Sequence, residues 1–387
     1  MSKPHAIIIG AGFTGTATAH ELALRGFRVT VMERGNLAYG TSGRTHGLLH
    51  SGGRYCVKDR ESAIECIQEN FILRKIVPQV IEPNGGLFAA FDEHDLAYEP
   101  TWVTGAEACG IPIDELSREK ALELEPNLNP AVIKAYLVPD GTFDPLRLAM
   151  AFAATAKSNG ATFLLYHEVE ELLLNSQGNV TGVKVWDRTT NQRMEVHGDI
   201  VISATGAWAG KISAMAGGHV PIRPTPGVMV AFDKRVINRT INRLRKPGDG
   251  DIILPQRQMS VIGTTSYTVE DVDYTDVIDE QISQMVACAA VLTPAVKQAK
   301  IRGVFTATRP LIGSGGSGRS LSRTFKCFDH KETDNIDGFV TITGGKATTC
   351  RGMAEQTADV VCKKLGLNIK STSKEVPLLS YRLYSSL

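Results

Sequence analysis

A short apolar run followed at once by a glycine-rich turn constrains this chain more than any other stretch. Residues 6–9 predict a buried strand, and Gly10, Gly12 and Gly15 follow it in Gly-x-Gly-x-x-Gly spacing. The pattern then predicts a helix over residues 14–24 and a second strand over 28–32, which ends at Glu33. This order of elements is typical of a Rossmann-like α/β unit that binds a dinucleotide.

Each glycine of the turn has its own task in such a unit. Gly10 permits the tight turn, Gly12 lets the backbone approach a pyrophosphate, and Gly15 lets the helix pack closely on the strand. The helix N-terminus faces the phosphates, and Glu33, roughly 20 residues farther on, is placed to bind an adenosine ribose. The residues expected to contact the dinucleotide here are Gly10, Gly12, Phe13, Thr14, Gly15, Glu33 and Arg34.

A second glycine-rich segment favours FAD over a nicotinamide cofactor. Residues 40–55, GTSGRTHGLLHSGGRY, are rich in glycine, hydroxyl groups and bases. Such a loop can place backbone N–H groups and small side chains along a second phosphate and a flat ring. We therefore predict FAD, with contacts in this loop from Thr41, Ser42, Arg44, Thr45, His46, Gly47, Leu48 and Leu49.

Two later segments extend the predicted cofactor site. A buried strand over 199–203 ends in small residues that permit close backbone approach to a ligand. Another strand, over 338–343, leads through a Gly-Gly-Lys turn into a helix over 350–365. The cofactor contacts expected from this half of the chain are Val169, Ala204, Thr205, Gly206, Trp208, Gly344, Gly345, Lys346, Thr348 and Thr349.

The sequence of predicted elements indicates two interleaved domains. We predict a discontinuous FAD-binding domain from residues 1–88, 141–220 and 304–370, followed by a C-terminal tail over 371–387. An antiparallel-sheet substrate domain is inserted in two parts, 89–140 and 221–303. Residues 92–130 are predicted to be helical and polar, and Asp144 with Pro145 predicts the start of a helix that runs to 158.

Composition excludes several classes of protein. The chain has 42 basic and 41 acidic residues, so charge gives no general attraction to nucleic acid or to an anionic membrane. The seven cysteines form no Cys-x-x-Cys pair, which predicts no metal site and reduced thiols in the cytoplasm. A strand begins almost at once and no apolar run reaches ~20 residues, so neither a signal peptide nor a membrane span is expected.

Several blocks in order carry a family resemblance: IIIGAGFTGTATAHELALRG, TSGRTHGLLHSGGRY, GTFDPLRL, DIVISATGAWAG, TATRPLIG and GGKATTCRGMAEQTAD. The chain resembles the FAD-dependent glycerol-3-phosphate dehydrogenases of the D-amino-acid-oxidase-like flavoproteins, and most closely the catalytic flavin subunit of the anaerobic enzyme. The resemblance implies an alcohol-oxidising site at the flavin and electron transfer that ends at a quinone. Longer members carry a C-terminal extension with cysteines for an iron–sulfur centre, which this sequence lacks after Leu365.

The chemistry needs a base for the hydroxyl proton and cations for a substrate phosphate. His50 is the predicted base because imidazole titrates near neutral pH, and His46 is its rival. Arg54 and Arg309 are the predicted phosphate-binding cations, since arginine binds phosphate through two parallel hydrogen bonds. Lys346 is expected to stabilise the anionic reduced flavin. Tyr55 is expected to bond the substrate or to pack, and Trp208 to pack over the cofactor.

Two alternatives stay open at this point. The chain is also consistent with an FAD-dependent oxidase or dehydrogenase of a 2-hydroxy acid or amino acid, because arginines bind a carboxylate as well as a phosphate. A flavin-binding electron-transfer subunit is the other alternative. For the glycerol-3-phosphate dehydrogenase hypothesis we expect a cytoplasmic protein with an electron-accepting partner subunit, which meets the inner face of the membrane only peripherally or through that partner. No nucleic-acid partner is expected.

Overall fold

The structure, a computed structural model, describes residues 3–274, 276–313 and 321–387. The strands are, in chain order, β1 (His5–Ile9), β2 (Arg28–Glu33), β3 (Leu48–Leu49), β4 (Ile81–Glu82), β5 (Gly86–Ala90), β6 (Asp114–Ser117), β7 (Lys134–Val138), β8 (Gly141–Phe143), β9 (Thr162–Leu165), β10 (His167–Leu174), β11 (Val180–Asp187), β12 (Gln192–His197), β13 (Ile200–Ser203), β14 (Ile222–Phe232), β15 (Thr240–Arg243), β16 (Ile252–Gln256), β17 (Met259–Gly263), β18 (Ile301–Ile312), β19 (Phe325–Asp329) and β20 (Phe339–Gly344). The helices are α1 (Phe13–Leu24), α2 (Arg60–Ile76), α3 (Glu93–Ala108), α4 (Arg118–Leu124), α5 (Pro145–Ser158), α6 (Ala209–Ala214), α7 (Asp279–Leu292), α8 (His330–Asp334) and α9 (Cys350–Lys364).

A six-stranded sheet forms the first half of the architecture. Its order is β19-β20-β13-β1-β2-β9, and all pairs are parallel except β19 with β20. Every residue of β1 is buried because both faces of the sheet are covered. Ile8 faces a core shared with α1, α5 and α9, whereas Ile7 faces a core shared with the three-stranded sheet β10-β11-β12.

An eight-stranded sheet forms the second half. Its order is β18-β14-β17-β16-β15-β5-β7-β6, and its core includes residues of α7 such as Met285 and Leu292. The sheet is antiparallel as predicted, except that β5 and β15 pair in parallel. The mixed α/β architecture therefore agrees with the fold class expected from the sequence.

Two predicted domain boundaries fall inside strands of this second sheet. The boundary at residue 88 divides β5, which pairs with β7 and β15 in the eight-stranded sheet. The boundary at residue 303 divides β18, which pairs with β14 from Ile301 to Ile312. By this pairing, residues 86–88 and 304–312 lie in the second sheet. The predicted third segment also includes residues 314–320, which lie outside the described residues.

Two further segments differ from the expectation or extend it. The region 92–130 is not wholly helical, because β6 lies between α3 and α4. The tail after residue 371 packs back on the first half: Leu378 N–H donates to the Ile76 carbonyl at 2.7 Å, and Lys157 donates to the Tyr384 carbonyl at 2.9 Å. The predicted start of α5 is confirmed, since the Asp144 side chain accepts the Arg147 N–H at 3.0 Å.

Across the three described ranges, none of the helices has the length and apolar character needed to cross a bilayer.

Candidate active site

A cavity of about 870 Å³ lies where the two large sheets meet, and it collects residues from the glycine-rich segments predicted to bind the cofactor. The predicted site residues that line it are Gly10, Gly12, Phe13, Thr14, Glu33, Arg34, Thr41, Ser42, Thr45, His46, Leu48, His50, Arg54, Tyr55, Val169, Ala204, Thr205, Gly206, Trp208, Arg309, Gly344, Gly345 and Lys346.

The turn after β1 depends on three glycines at three close approaches. Gly10 has φ +102°, and a Cβ there would lie 2.8 Å from the Ala204 carbonyl oxygen. A Cβ on Gly15 would lie 1.9 Å from the Gly10 carbonyl oxygen, so α1 contacts the turn backbone to backbone. A Cβ on Gly12 would lie 2.9 Å from Oγ of Ser42. Gly12 therefore leaves room for the second glycine-rich loop to cross the start of α1.

The cavity end at this turn suits the ADP half of FAD. The N-cap of α1 is Gly12, which offers no side-chain acceptor, so the first turn keeps N–H groups for an anion. The Glu33 carboxylate is fixed at the wall because it accepts the N–H groups of Ala11 and Gly35, each at 2.9 Å. Each carboxylate oxygen retains a lone pair for a ribose hydroxyl. The residues present therefore fit this cofactor.

A charged cluster closes the outer wall of this end. The Arg34 guanidinium stacks over the Trp208 ring at 4.7 Å from its centroid. Asp273 accepts from Trp208 Nε1 at 2.8 Å and from Lys211 Nζ at 2.9 Å. The Asp273 segment follows β17, so this contact joins the eight-stranded half of the molecule to the six-stranded half.

Six predicted cofactor contacts do not line the main cavity. They are Gly15, Arg44, Gly47, Leu49, Thr348 and Thr349. Arg44 lines a smaller adjoining cavity of about 160 Å³ together with Arg34 and Trp208. Leu49 is fully buried in the core, and the two threonines bond the backbone of the wall: Thr348 Oγ1 accepts the His50 N–H at 3.1 Å, and Thr349 Oγ1 accepts the Lys346 N–H at 3.0 Å. Thr348 and Thr349 thus support the backbone of the cavity wall.

His46 and His50 lie side by side, with ring centroids 6.4 Å apart. The Leu48 N–H donates to His46 Nδ1 at 3.2 Å, and a Cβ on Gly263 would lie 2.7 Å from the His46 ring, so this ring is held by its own loop and by β17. Among the described residues, the hydrogen bonds of His50 involve its backbone. Its ring lines the cavity, 5.2 Å from the Tyr55 ring.

Burial and neighbouring cations keep both imidazoles uncharged. Burial lowers the pKa of His46 to about 3, and Arg54 and Arg309 act in the same direction by charge repulsion. Burial likewise lowers the pKa of His50 well below its ordinary value, and nearby His46 and Lys346 act in the same direction. At neutral pH each ring is therefore a proton acceptor.

Arg54 is held by a chain of buried polar groups. It donates to Asp251 at 2.7 Å and to the Asn242 side-chain oxygen at 3.2 Å. Asn242 in turn donates to Asp140 at 3.3 Å, and Asp140 accepts the Ser51 N–H at 2.7 Å. Burial opposes the charge of Arg54, but Asp251 raises its pKa. The pair fixes the guanidinium in the wall and balances its charge.

Arg309 has a different environment. Its guanidinium donates to the carbonyl oxygens of Thr225 at 3.3 Å and Thr265 at 3.0 Å, and to the hydroxyl of Thr264. No carboxylate among the described residues forms an ion pair with it. A Cβ on Gly227 would lie 2.5 Å from Nη2, so glycine at that place in β14 makes the space. Burial, with Arg323 and Arg54 nearby, lowers the pKa of Arg309 to about 9, which indicates a site that a bound anion would stabilise.

Lys346 lies on the turn after β20, close to the histidines. Its Nζ donates to the Ser62 hydroxyl and, at 2.8 Å, to the Arg323 carbonyl oxygen. The same Nζ lies 4.9 Å from the centroid of the Tyr55 ring. The turn thus carries an ammonium group to the end of the cavity where His50 and Arg309 lie.

The structure adds residues that sequence reasoning missed. Arg323 lines the same end of the cavity, and burial lowers its pKa. It lies between a glycine- and serine-rich stretch and β19, and no motif marked it. Asp251, Asn242 and Asp140 were missed because their role depends on pairing between strands far apart in the sequence, for which the chain gives no local signal.

A comparison with known families decides the class of this protein. A family model described as FAD dependent oxidoreductase matches residues 5–360. The chain belongs to this family. The match runs from β1 into α9 and so includes both sheets and the walls of the cavity. This confirms the prediction of an FAD-dependent oxidoreductase.

Relatives of this FAD-dependent oxidoreductase confirm the resemblance seen in the sequence. A subunit of the anaerobic glycerol-3-phosphate dehydrogenase of Escherichia coli is 41% identical over 376 residues, covering 96% of this chain and 69% of that protein. The corresponding subunit of the anaerobic glycerol-3-phosphate dehydrogenase of Haloferax volcanii is 41% identical over 389 residues, covering 97% of this chain and 66% of that protein. The chain thus spans about two thirds of the length of these relatives.

A solved structure shows the same fold. The glycerol-3-phosphate dehydrogenase from Bacillus halodurans complexed with FAD has a TM-score of 0.73 and 23% identity, covering 97% of this chain and 68% of that chain.

Proposed function

We propose that this protein oxidises sn-glycerol 3-phosphate to dihydroxyacetone phosphate, with FAD as the hydride acceptor. The observation that carries the proposal is the environment of Arg309, a guanidinium in the cavity wall whose described partners are neutral oxygens. Arg323 and Lys346 line the same end of the cavity. This excess of positive charge suits a phosphate dianion. The names of the two 41% identical relatives support the same substrate.

His50 is the proposed base that takes the hydroxyl proton. Its ring lines the cavity uncharged, whereas His46 is held by its own loop through Nδ1. A phosphate dianion near Arg309 would offset part of the surrounding positive charge, and so would raise the basicity of His50 when substrate is bound. The free site therefore keeps the base uncharged, and substrate binding strengthens it.

The other residues are proposed to position the reactants. Arg309 and Arg323 bind the phosphate, and Arg54, held by Asp251, borders the substrate. Lys346 is proposed to hold positive charge against the flavin ring, and Tyr55 to border the substrate between Lys346 and His50. FAD, when bound, supplies the acceptor for the carbinol hydride.

The cofactor is proposed to lie along the first glycine-rich turn. The first turn of α1 would hold its diphosphate, Glu33 its ribose, and Trp208 would pack beside it. In this arrangement the six-stranded half binds FAD and the eight-stranded half supplies Arg309 to the substrate wall. In this proposal, the division between FAD binding and substrate binding lies between the two large sheets, and not at the domain boundaries predicted from the sequence.

Electrons are proposed to leave through a partner subunit on the way to a quinone. The relatives are named as subunits of a larger enzyme, and this chain spans about two thirds of their length. In the proposal, contact with the membrane is peripheral and made through that partner.

The test mixes the purified holoenzyme anaerobically with one compound at a time and follows bleaching of the oxidised flavin. Glycerol 3-phosphate should bleach the flavin rapidly, and glycerol, lactate and glycine should not. Faster bleaching by lactate or glycine would overturn the phosphate assignment in favour of a hydroxy-acid or amino-acid enzyme.

A second measurement follows reoxidation of the reduced flavin: oxygen and a quinone in vesicles should each react slowly with the isolated chain. Rapid quinone reduction by the isolated chain would overturn the proposed partner.

A further inference from the structure

A carboxylate near the proposed flavin site has an oxygen with no hydrogen bond. Glu65 lies on α2, and its side chain is only half-buried, yet Oε2 is enclosed and has no hydrogen-bond partner among the described residues. Burying an unpartnered carboxylate oxygen costs free energy, so such groups are uncommon unless they serve a purpose. Lys346 is the cation that acts on this carboxylate.

Helix α2 brings Glu65 to Lys346. Ser62, three residues earlier on the helix, accepts a hydrogen bond from Lys346 Nζ, and residues three apart share a helix face. Other groups close to Nζ are the Arg323 carbonyl oxygen at 2.8 Å and the Tyr55 ring at 4.9 Å from its centroid. None of these three groups carries a negative charge. The Glu65 carboxylate therefore places a negative charge near the Lys346 ammonium, whose hydrogen-bond acceptors here are neutral.

The other groups around Glu65 influence the pH at which its side chain gains or loses a proton. The titratable groups that face it are Lys346, Glu61, Asp59, Glu69 and Cys66. Glu69 is paired with Arg351 of α9 at 2.8 Å. Burial raises the pKa of Glu65 to about 7, Lys346 opposes that shift, and the three neighbouring carboxylates add to it. The side chain therefore changes charge close to neutral pH.

We propose that Glu65 is a positioning residue that sets the charge beside the flavin by acting on Lys346. The inference rests on the proposed function, which places Lys346 against the flavin ring. Ionised Glu65 offsets part of the ammonium charge and disfavours the anionic reduced cofactor, whereas protonated Glu65 leaves that charge intact. Glu65 takes no proton from substrate and contacts none of the reacting atoms. Its effect is to make flavin reduction easier in mild acid than in mild base.

The test needs no substrate. The holoenzyme is equilibrated with a reference redox dye, and the equilibrium constant for flavin reduction is measured from about pH 5.5 to about pH 8.5, on either side of the titration. For wild-type protein, the plot of this equilibrium constant against pH should show an inflection near neutral pH in addition to those of the flavin itself. In Glu65→Gln the inflection should vanish, and the constant at the basic end should rise roughly tenfold (~1.4 kcal/mol), because the Lys346 charge is then no longer offset. At the acidic end the two proteins should agree, because Glu65 is protonated there.

Two further variants make the result decisive. Glu61→Gln, at an exposed position one turn earlier on α2, should keep an inflection, moved to lower pH because Glu61 raises the pKa of Glu65. Lys346→Met should lower the reduction constant, and in that background Glu65→Gln should have little effect. If Lys346→Met changes nothing, the placement of Lys346 fails and the role of Glu65 fails with it. If Lys346→Met lowers the constant while Glu65→Gln follows wild type at both ends, the role of Glu65 alone is overturned. A wild-type curve without the inflection would overturn it as well, whether or not the variants fold.

Discussion

Replacing Arg309 with alanine should weaken binding of a phosphorylated substrate and leave the flavin in place. The described partners of the guanidinium are all neutral oxygens, so a bound phosphate would receive its full charge. Each charge-assisted hydrogen bond lost costs ~1.5–3 kcal/mol. Because ~1.4 kcal/mol is a factor of ten, kcat/KM should fall roughly tenfold to more than a hundredfold, mostly through KM.

The assay compares glycerol 3-phosphate with glycerol under a dye that reports turnover. Loss of a phosphate contact should leave the slow reaction with glycerol unchanged, so the ratio of the two kcat/KM values measures the contact itself. Arg309→Lys should restore part of the loss, because lysine keeps the charge but lacks the planar fork. Arg302→Ala is the matched control, since Arg302 is exposed on the same strand. A wild-type KM in Arg309→Ala, with flavin content intact, would refute the assignment and make the residue structural.

Three other outcomes follow from the geometry. Gly12→Val should give protein without FAD, because its side chain would collide with Ser42, and the absorption spectrum of the purified protein measures this. His50→Asn should lower kcat roughly 10²- to 10⁴-fold at unchanged flavin content, and an undiminished rate would show that another group takes the proton. Burial lowers the pKa of His20 to about 4, below the ~6.5 of an unfolded chain, so the unfolded state binds more protons and stability falls as pH drops between these values. His20→Leu should remove up to about 3 kcal/mol of that loss in urea unfolding, and an unchanged slope would contradict the reasoning.

The features that could be predicted from the sequence are those formed by residues close to one another along the chain. In the turn after β1, Gly15 contacts the Gly10 carbonyl oxygen five residues earlier, and the Gly10 N–H donates to the Met32 carbonyl of β2, so the spacing of the glycines was enough to predict the turn. The start of α5 could be predicted for the same reason, because the Asp144 side chain accepts a hydrogen bond from the N–H of Arg147, three positions later.

Contacts between distant segments were harder to predict. The Arg54 pair needs Asp251, which immediately precedes β16 in the other half, and nothing near either residue signals the other. The sequence did not indicate which sheet residues 86–90 join, because a strand of small and apolar residues suits either sheet equally well. Arg309 was predicted as a phosphate-binding cation, but the glycine that accommodates it, Gly227, is specified by the pairing of β14 with β18.

The strand order of the six-stranded sheet has a consequence for synthesis on the ribosome. β1 and β2 emerge first, yet β13, which pairs with β1, follows after nearly two hundred residues, and β20 completes the far side only at residues Phe339–Gly344. Until then a nascent chain carries an apolar strand edge with no partner, which favours aggregation and slows folding. The last glycine-rich turn of the cavity follows directly from β20. FAD loading should therefore be a late event, and chaperone supply rather than flavin supply should limit the yield of active protein in an expression host.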